Sequence, residues 1–141
     1  MLPAKAPRQE GSEAVTEGFR VTVQPRFVPE QSDPGAGKYF FAYRIRIANE
    51  SLEHAKLVSR RWVIVDADGE RPEVEGEGVV GEQPELSPGG QFVYTSFCPL
   101  GTHWGTMEGA YTMHVMRGPR TGETFDIRIG RFLLVGPRPK P

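Results

Sequence analysis

A single cysteine, Cys98, in 141 residues excludes an internal disulfide and any thiolate metal cluster built within one chain. Apolar runs are short, and none approaches the ~20 residues that a membrane span requires. The N-terminal stretch MLPAKAPRQEGSEAVTEG has no apolar core, so no secretory leader is read there and a cytoplasmic location is expected. Neither charge prevails: 17 Lys and Arg face 18 Asp and Glu, which gives no reason to expect a nucleic-acid partner. No segment carries a 3.6-residue apolar stripe long enough for an ordinary helix.

What remains is turn chemistry and alternation. Seventeen glycines and thirteen prolines make up more than a fifth of the chain and favour many turns. Tyr39, Phe41, Tyr43, Ile45 and Ile47 alternate with Lys38, Arg44 and Arg46, the cleanest period-two pattern present. Similar alternation marks Phe19 to Val23, Phe92 to Thr95, Tyr111 to Met116 and Phe125 to Ile129, the last ending at a turn residue, Gly130. Phe132 to Val135 reads as a final apolar run, and Trp62 to Val65 has both faces partly covered. Short strands at this spacing predict an all-β domain of seven to eight antiparallel strands in two packed sheets. Without a cysteine pair, the immunoglobulin-like option narrows to the fibronectin type III kind. Residues 1–17 are expected to form a mobile arm, 18–135 the sandwich, and 136–141 an extended proline-rich tail.

Gly76, Gly78 and Gly81 spell a G-x-G-x-x-G, the spacing of a dinucleotide-binding loop. Such a fingerprint needs a helix opening from the loop to receive the pyrophosphate. Pro84, Pro88, Gly89 and Gly90 follow at once and forbid that helix. Two readings of the loop stand. The glycines let backbone N–H groups approach a pyrophosphate or nucleotide phosphate, with Arg60 or Arg61 adding a cation. Alternatively they permit a bulge or sharp bend while Val79 and Val80 plug the core.

Glu77 and Glu82 are the carboxylates nearest the loop that could hold Mg²⁺ loosely; solvated turn carboxylates are the plainer reading, and no dedicated metal site or cofactor is expected. His54, His103 and His114 lie on separate segments without ligand spacing. Ser96 and Cys98 lack a nucleophile-elbow context, so no catalytic residue is assigned and an enzyme is not expected. Phe97, Leu100 and Trp104 make the segment Phe97 to Thr106 more apolar than a solvated loop requires, and they are read as a protein-interaction surface. The alternative is that Trp104 folds back to cap the sandwich. Phe40, beside Arg44 and Arg46 on the polar face of its strand, is a second exposed ring. Edge strands offer pairing to a partner or to a second copy of the chain.

Several linked stretches resemble the ApaG family. They are LVSRRWVI from Leu57, DADG from Asp66, GEGVVGEQP from Gly76, LSPG from Leu86, FVYTS from Phe92 and GTMEGAY from Gly105. The resemblance spans roughly Phe19 to Pro137. It implies a fibronectin-III-like β-sandwich in a small bacterial protein, with a genetic link to cobalt and magnesium efflux and no agreed enzymatic reaction. The same domain in eukaryotic F-box and polymerase-interacting proteins implies a non-enzymatic, protein-binding or regulatory module. Two positions depart from the pattern: Arg61 stands where many relatives carry histidine, and His103 where proline is usual.

Overall fold

In the computed structural model, which describes residues 10–139, the alternation read from the sequence becomes two antiparallel sheets facing each other. The first holds β1 (Ser12–Thr16), β2 (Phe19–Phe27), β3 (Tyr39–Asn49) and β7 (Gln91–Leu100), in the order β1-β2-β3-β7. The second holds β4 (His54–Asp66), β5 (Glu73–Glu77), β8 (Trp104–Arg117) and β9 (Thr124–Val135), in the order β5-β4-β8-β9. Short β6 (Glu85–Leu86) also pairs with β4. The only helical turns among the described residues are two 3-10 turns, at Pro29–Gln31 and Pro34–Ala36.

The inward positions of β3 bury Phe41, Ile45 and Ile47 completely, against Leu57, Met113, Ile127 and Leu134 of the other sheet. Tyr43, Trp62 and Phe132 meet in the middle of this layer, with ring centroids 5.4 to 5.9 Å apart. Their mostly tilted and edge-on contacts set the spacing of the sheets at a full aromatic layer.

Three expectations change. Gly130 is not a turn: β9 runs through it, and Gly130 and Arg131 together oppose Glu108 as a bulge between the pairs Met107–Phe132 and Gly109–Ile129. The segment Phe97 to Thr106 is not a loop either, since β7 continues to Leu100 and β8 begins at Trp104. Part of the arm expected over residues 1–17 is a strand instead, because Ser12–Thr16 pair with Phe19–Val23. Residues 1–9 of that arm, and the last two of the tail, lie outside the described residues. Gly136 is held by its N–H to the His103 carbonyl at 2.7 Å, and only Pro137 to Pro139 are exposed and outside strands.

β1 also joins the sheets along one side. Ser12 donates its hydroxyl proton to the Gly130 carbonyl at 2.7 Å, and the Leu133 N–H donates to the Glu10 carbonyl at 2.8 Å. β1 begins opposite Val23, so Pro25 of β2 lies beyond its pairing, where β1 does not need the missing donor.

Asn49, 1% exposed, ties four segments together at one end. Its amide nitrogen donates to the carbonyls of Glu53 and Leu86 at 2.7 and 2.9 Å, and its side-chain oxygen accepts from the Ser51 N–H at 2.9 Å. Its backbone N–H donates to the Gly90 carbonyl at 2.9 Å and its own carbonyl accepts from Gly89 at 2.8 Å. Asn49→Ala leaves two carbonyls without their donor, and an expected loss of about 2–3 kcal/mol follows. Urea denaturation checks this; a loss under about 1 kcal/mol would show that water replaces the amide.

Candidate functional site

β5 and β6 lie along the same edge of β4, against Ser59–Val63 and Ala55–Lys56. The glycine motif is the excursion between them. The N–H groups of Val79 and Glu82 donate to each other's carbonyls at 2.8 Å, and φ is positive at both central residues, 44° at Val80 and 80° at Gly81. That pattern is a type I′ hairpin turn. Gly78 has φ 60°, donates its N–H to the Val58 carbonyl at 2.9 Å, and leaves no room for a Cβ against the Glu82 carbonyl. Arg60 turns its Nη1 into the loop, donating to the carbonyls of Glu77 and Gly78 at 2.9 and 2.8 Å.

Three of the N–H groups that a phosphate nest would use, those of Gly78, Val79 and Glu82, therefore already have partners. The geometry is that of the bend. Val79 fills the core as expected, but Val80 does not: it is 55% exposed, because the turn throws its first central residue outward.

Beneath the hairpin, on the side away from β1, the sheets part to leave a cleft of about 260 Å³. Tyr43, Arg60, Trp62, Glu77, Tyr94 and Ser96 line it. The hydroxyls of Tyr94 and Tyr111 contact each other at its base, and burial pushes both above the usual tyrosine range. Arg61 does not line this cleft; with Arg60, Gly76 and Glu77 it lines a neighbouring surface depression. It stands half-exposed opposite Glu75, with Nη2 3.9 Å from Asp126.

Among the described residues no catalytic or metal set converges. Burial pushes the Cys98 thiol up to about 11, which leaves little thiolate at neutral pH. His54 lies 3.3 Å from Glu85, His103 packs near the Tyr39 ring, and His114 sits on β8. Glu77 and Glu82 are both exposed, and among the described residues no three His, Cys, Asp or Glu side chains are grouped to hold a metal.

The three residues read as an interaction surface separate. Phe97 is 52% exposed on the outer face of the first sheet. Leu100 is 9% exposed and packs inward, so its side chain is not available to a partner; it occupies an inward position of β7 with Tyr94 and Cys98. Trp104 is 41% exposed on the second sheet, beside Leu133, Val135 and His103 in a surface depression of about 360 Å³. The ring that does join Phe97 is Phe40, stacked on it with centroids 5.5 Å apart and planes 18° apart. On the same face stand Arg26 and Arg44, which the sequence reading did not single out as site residues. The signal was present: period-two counting from Phe40 reaches Arg44.

These features define an antiparallel β-sandwich with an uncovered, aromatic-bearing sheet face and, among the described residues, no converged catalytic set. The ApaG domain model matches residues 29–115. Protein ApaG of Anaeromyxobacter sp. (strain K) is 55% identical over 126 residues, 89% of this chain and 96% of that one. Protein ApaG of Methylorubrum extorquens (strain PA1) is 50% identical over 124 residues, 88% of this chain and 92% of that one. The crystal structure of an ApaA protein from Bordetella pertussis superposes with a TM-score of 0.79 at 48% identity, covering 85% of this chain and 94% of that one. The chain belongs to the ApaG family.

The strained hairpin makes a direct prediction. Valine is a poor residue at positive φ, whereas Asn-Gly is the favoured pair in a type I′ turn. Val80→Asn is expected to raise stability by about 1 kcal/mol, measured by thermal or urea unfolding. A loss of similar size would show that the exposed Val80 side chain makes contacts worth more than the backbone strain.

Proposed function

We propose that this chain is a cytoplasmic, non-enzymatic binding module that acts by docking another protein, in connection with cobalt and magnesium homeostasis as the family resemblance implies. The observation that supports it is the Phe40–Phe97 stack on the outer face of the first sheet. Aromatic side chains clustered outside a core, uncovered by any described segment, are the usual anchors of an interface. The inert setting of Cys98 and the dispersed histidines favour binding over turnover. Trp104 in its depression offers a separate contact on the opposite sheet.

A second reading has its own observation, the polar cleft under the hairpin. Arg60 at its wall is a cation for a phosphorylated small ligand such as pyrophosphate or a nucleotide. Against it, part of the Arg60 guanidinium already holds loop carbonyls, and Glu77 shares the cleft.

Affinity capture from native lysate with the wild type and with Phe97→Ala tests the first reading. The expected result is a partner lost by Phe97→Ala while the melting curve stays within a few degrees of wild type; capture unaffected by Phe97→Ala and by Trp104→Ala would refute it. For the second reading, amide shifts of Gly78, Gly81 and Ser96 are followed as pyrophosphate and a dinucleoside polyphosphate are added. Unmoved signals exclude it.

A further inference from the structure

The outer face of the first sheet is organised in cross-strand rows. Phe97, Ala42 and Arg26 form one row, and Thr95, Arg44 and Gln24 the next. Pro99 and Phe40 lie above the first row. Ala42 lies on the outward side of β3 but is 1% exposed, covered by the larger residues around it, and a notch of about 270 Å³ opens between those residues. Gln24, Arg26, Arg44 and Thr95 line the notch, with Ala42 and Pro25 completing it. Its cationic wall thus stands next to the Phe40–Phe97 stack.

The charges on this face are not alike. Arg20 is met by Glu13 and Glu50 at 3.3 and 2.9 Å, and its hydrogen bond holds the Glu50 carboxyl below the usual range. Arg46 donates to Gln91 at 2.7 Å. For Arg26 and Arg44, no carboxylate among the described residues lies within 4.0 Å. Residues 1–9 contain no acidic side chain that could serve. Two guanidiniums with no carboxylate partner among the described residues, beside an exposed aromatic pair, select a ligand that carries both carboxylates and an apolar group.

We propose that this notch docks an acidic peptide segment of a partner protein, with an aromatic or aliphatic side chain against Phe97 and flanking carboxylates on Arg26 and Arg44. The inference rests on the protein-docking reading above and names the chemistry of its partner. Single-stranded nucleic acid fits the face less well. The rings of Phe40 and Phe97 cover each other instead of forming two separate stacking platforms for successive bases.

The test is selection of a displayed random-peptide library on the immobilised full chain, followed by anisotropy titration of the enriched peptides and of a labelled oligouridine. Enriched peptides are expected to carry at least two Asp or Glu beside an aromatic or aliphatic residue. The double variant R26E/R44E should weaken them by about tenfold or more while its melting curve stays close to wild type, and binding to the wild type should weaken as salt rises. Amide shifts should cluster on Gln24–Arg26, Ala42–Arg46 and Val93–Phe97. The proposal falls if nothing is enriched, if the consensus is neutral or basic, if shifts lie on another face, or if oligouridine binds the notch and peptides do not. If R26E/R44E leaves lysate capture intact while Phe97→Ala abolishes it, the docking reading survives and the acidic partner does not.

Discussion

Tyr43, Trp62 and Phe132 each come from a different strand, and no two of them are local in sequence. Their mutual packing holds the sheets apart by one aromatic layer, and the aliphatic inward positions of β3, β8 and β9 fill what remains. Burial on this scale supplies the main force that holds the sandwich together. It also decides its asymmetry. On one side β1 bridges to β9 through Ser12 and Leu133, so the layer is sealed. On the other the sheets separate at Tyr94 and Arg60, and polar side chains enter the gap.

The glycine motif is intelligible within that frame. An edge strand of the second sheet, β5 and then β6, must follow β4 across a bulge between Leu57 and Ser59. The chain does so by leaving the edge in a tight hairpin and returning, and Gly78 and Gly81 supply the two backbone conformations the manoeuvre requires. Arg60 closes the hairpin from below. In a motif whose spacing suggests phosphate recognition, the N–H groups of Gly78, Val79 and Glu82 are here engaged in backbone hydrogen bonds, and no helix opens from the loop among the described residues.

A sheet packed on one face leaves its other face to be explained. Among the described residues, that face of the first sheet is neither uniformly polar nor covered by a helix; it mixes a stacked aromatic pair with arginines that have a carboxylate or amide partner and arginines for which no carboxylate lies within 4.0 Å. The proposed docking surface therefore lies on sheet residues rather than on the loops that usually carry function.

Alternation along β3, β7 and β9 was enough to identify an all-β sandwich, to name most of the inward residues, and to deny a helix after Gln83. Those properties depend on neighbours two positions apart and on proline and glycine, so they are written locally. Strand ends were not: Gly130 reads as a turn and is a bulge, and Trp104 reads as a loop residue and begins a strand, because long-range pairing outweighed local turn preference at both. The fates of Leu100, buried, and Phe97, exposed, followed from register three residues apart on one strand. That Phe40 meets Phe97, that Arg26 and Arg44 share a notch, and that Asn49 reaches Leu86 were decided only in three dimensions. Each joins segments tens of residues apart in most cases, brought together by sheet pairing that no local pattern specifies.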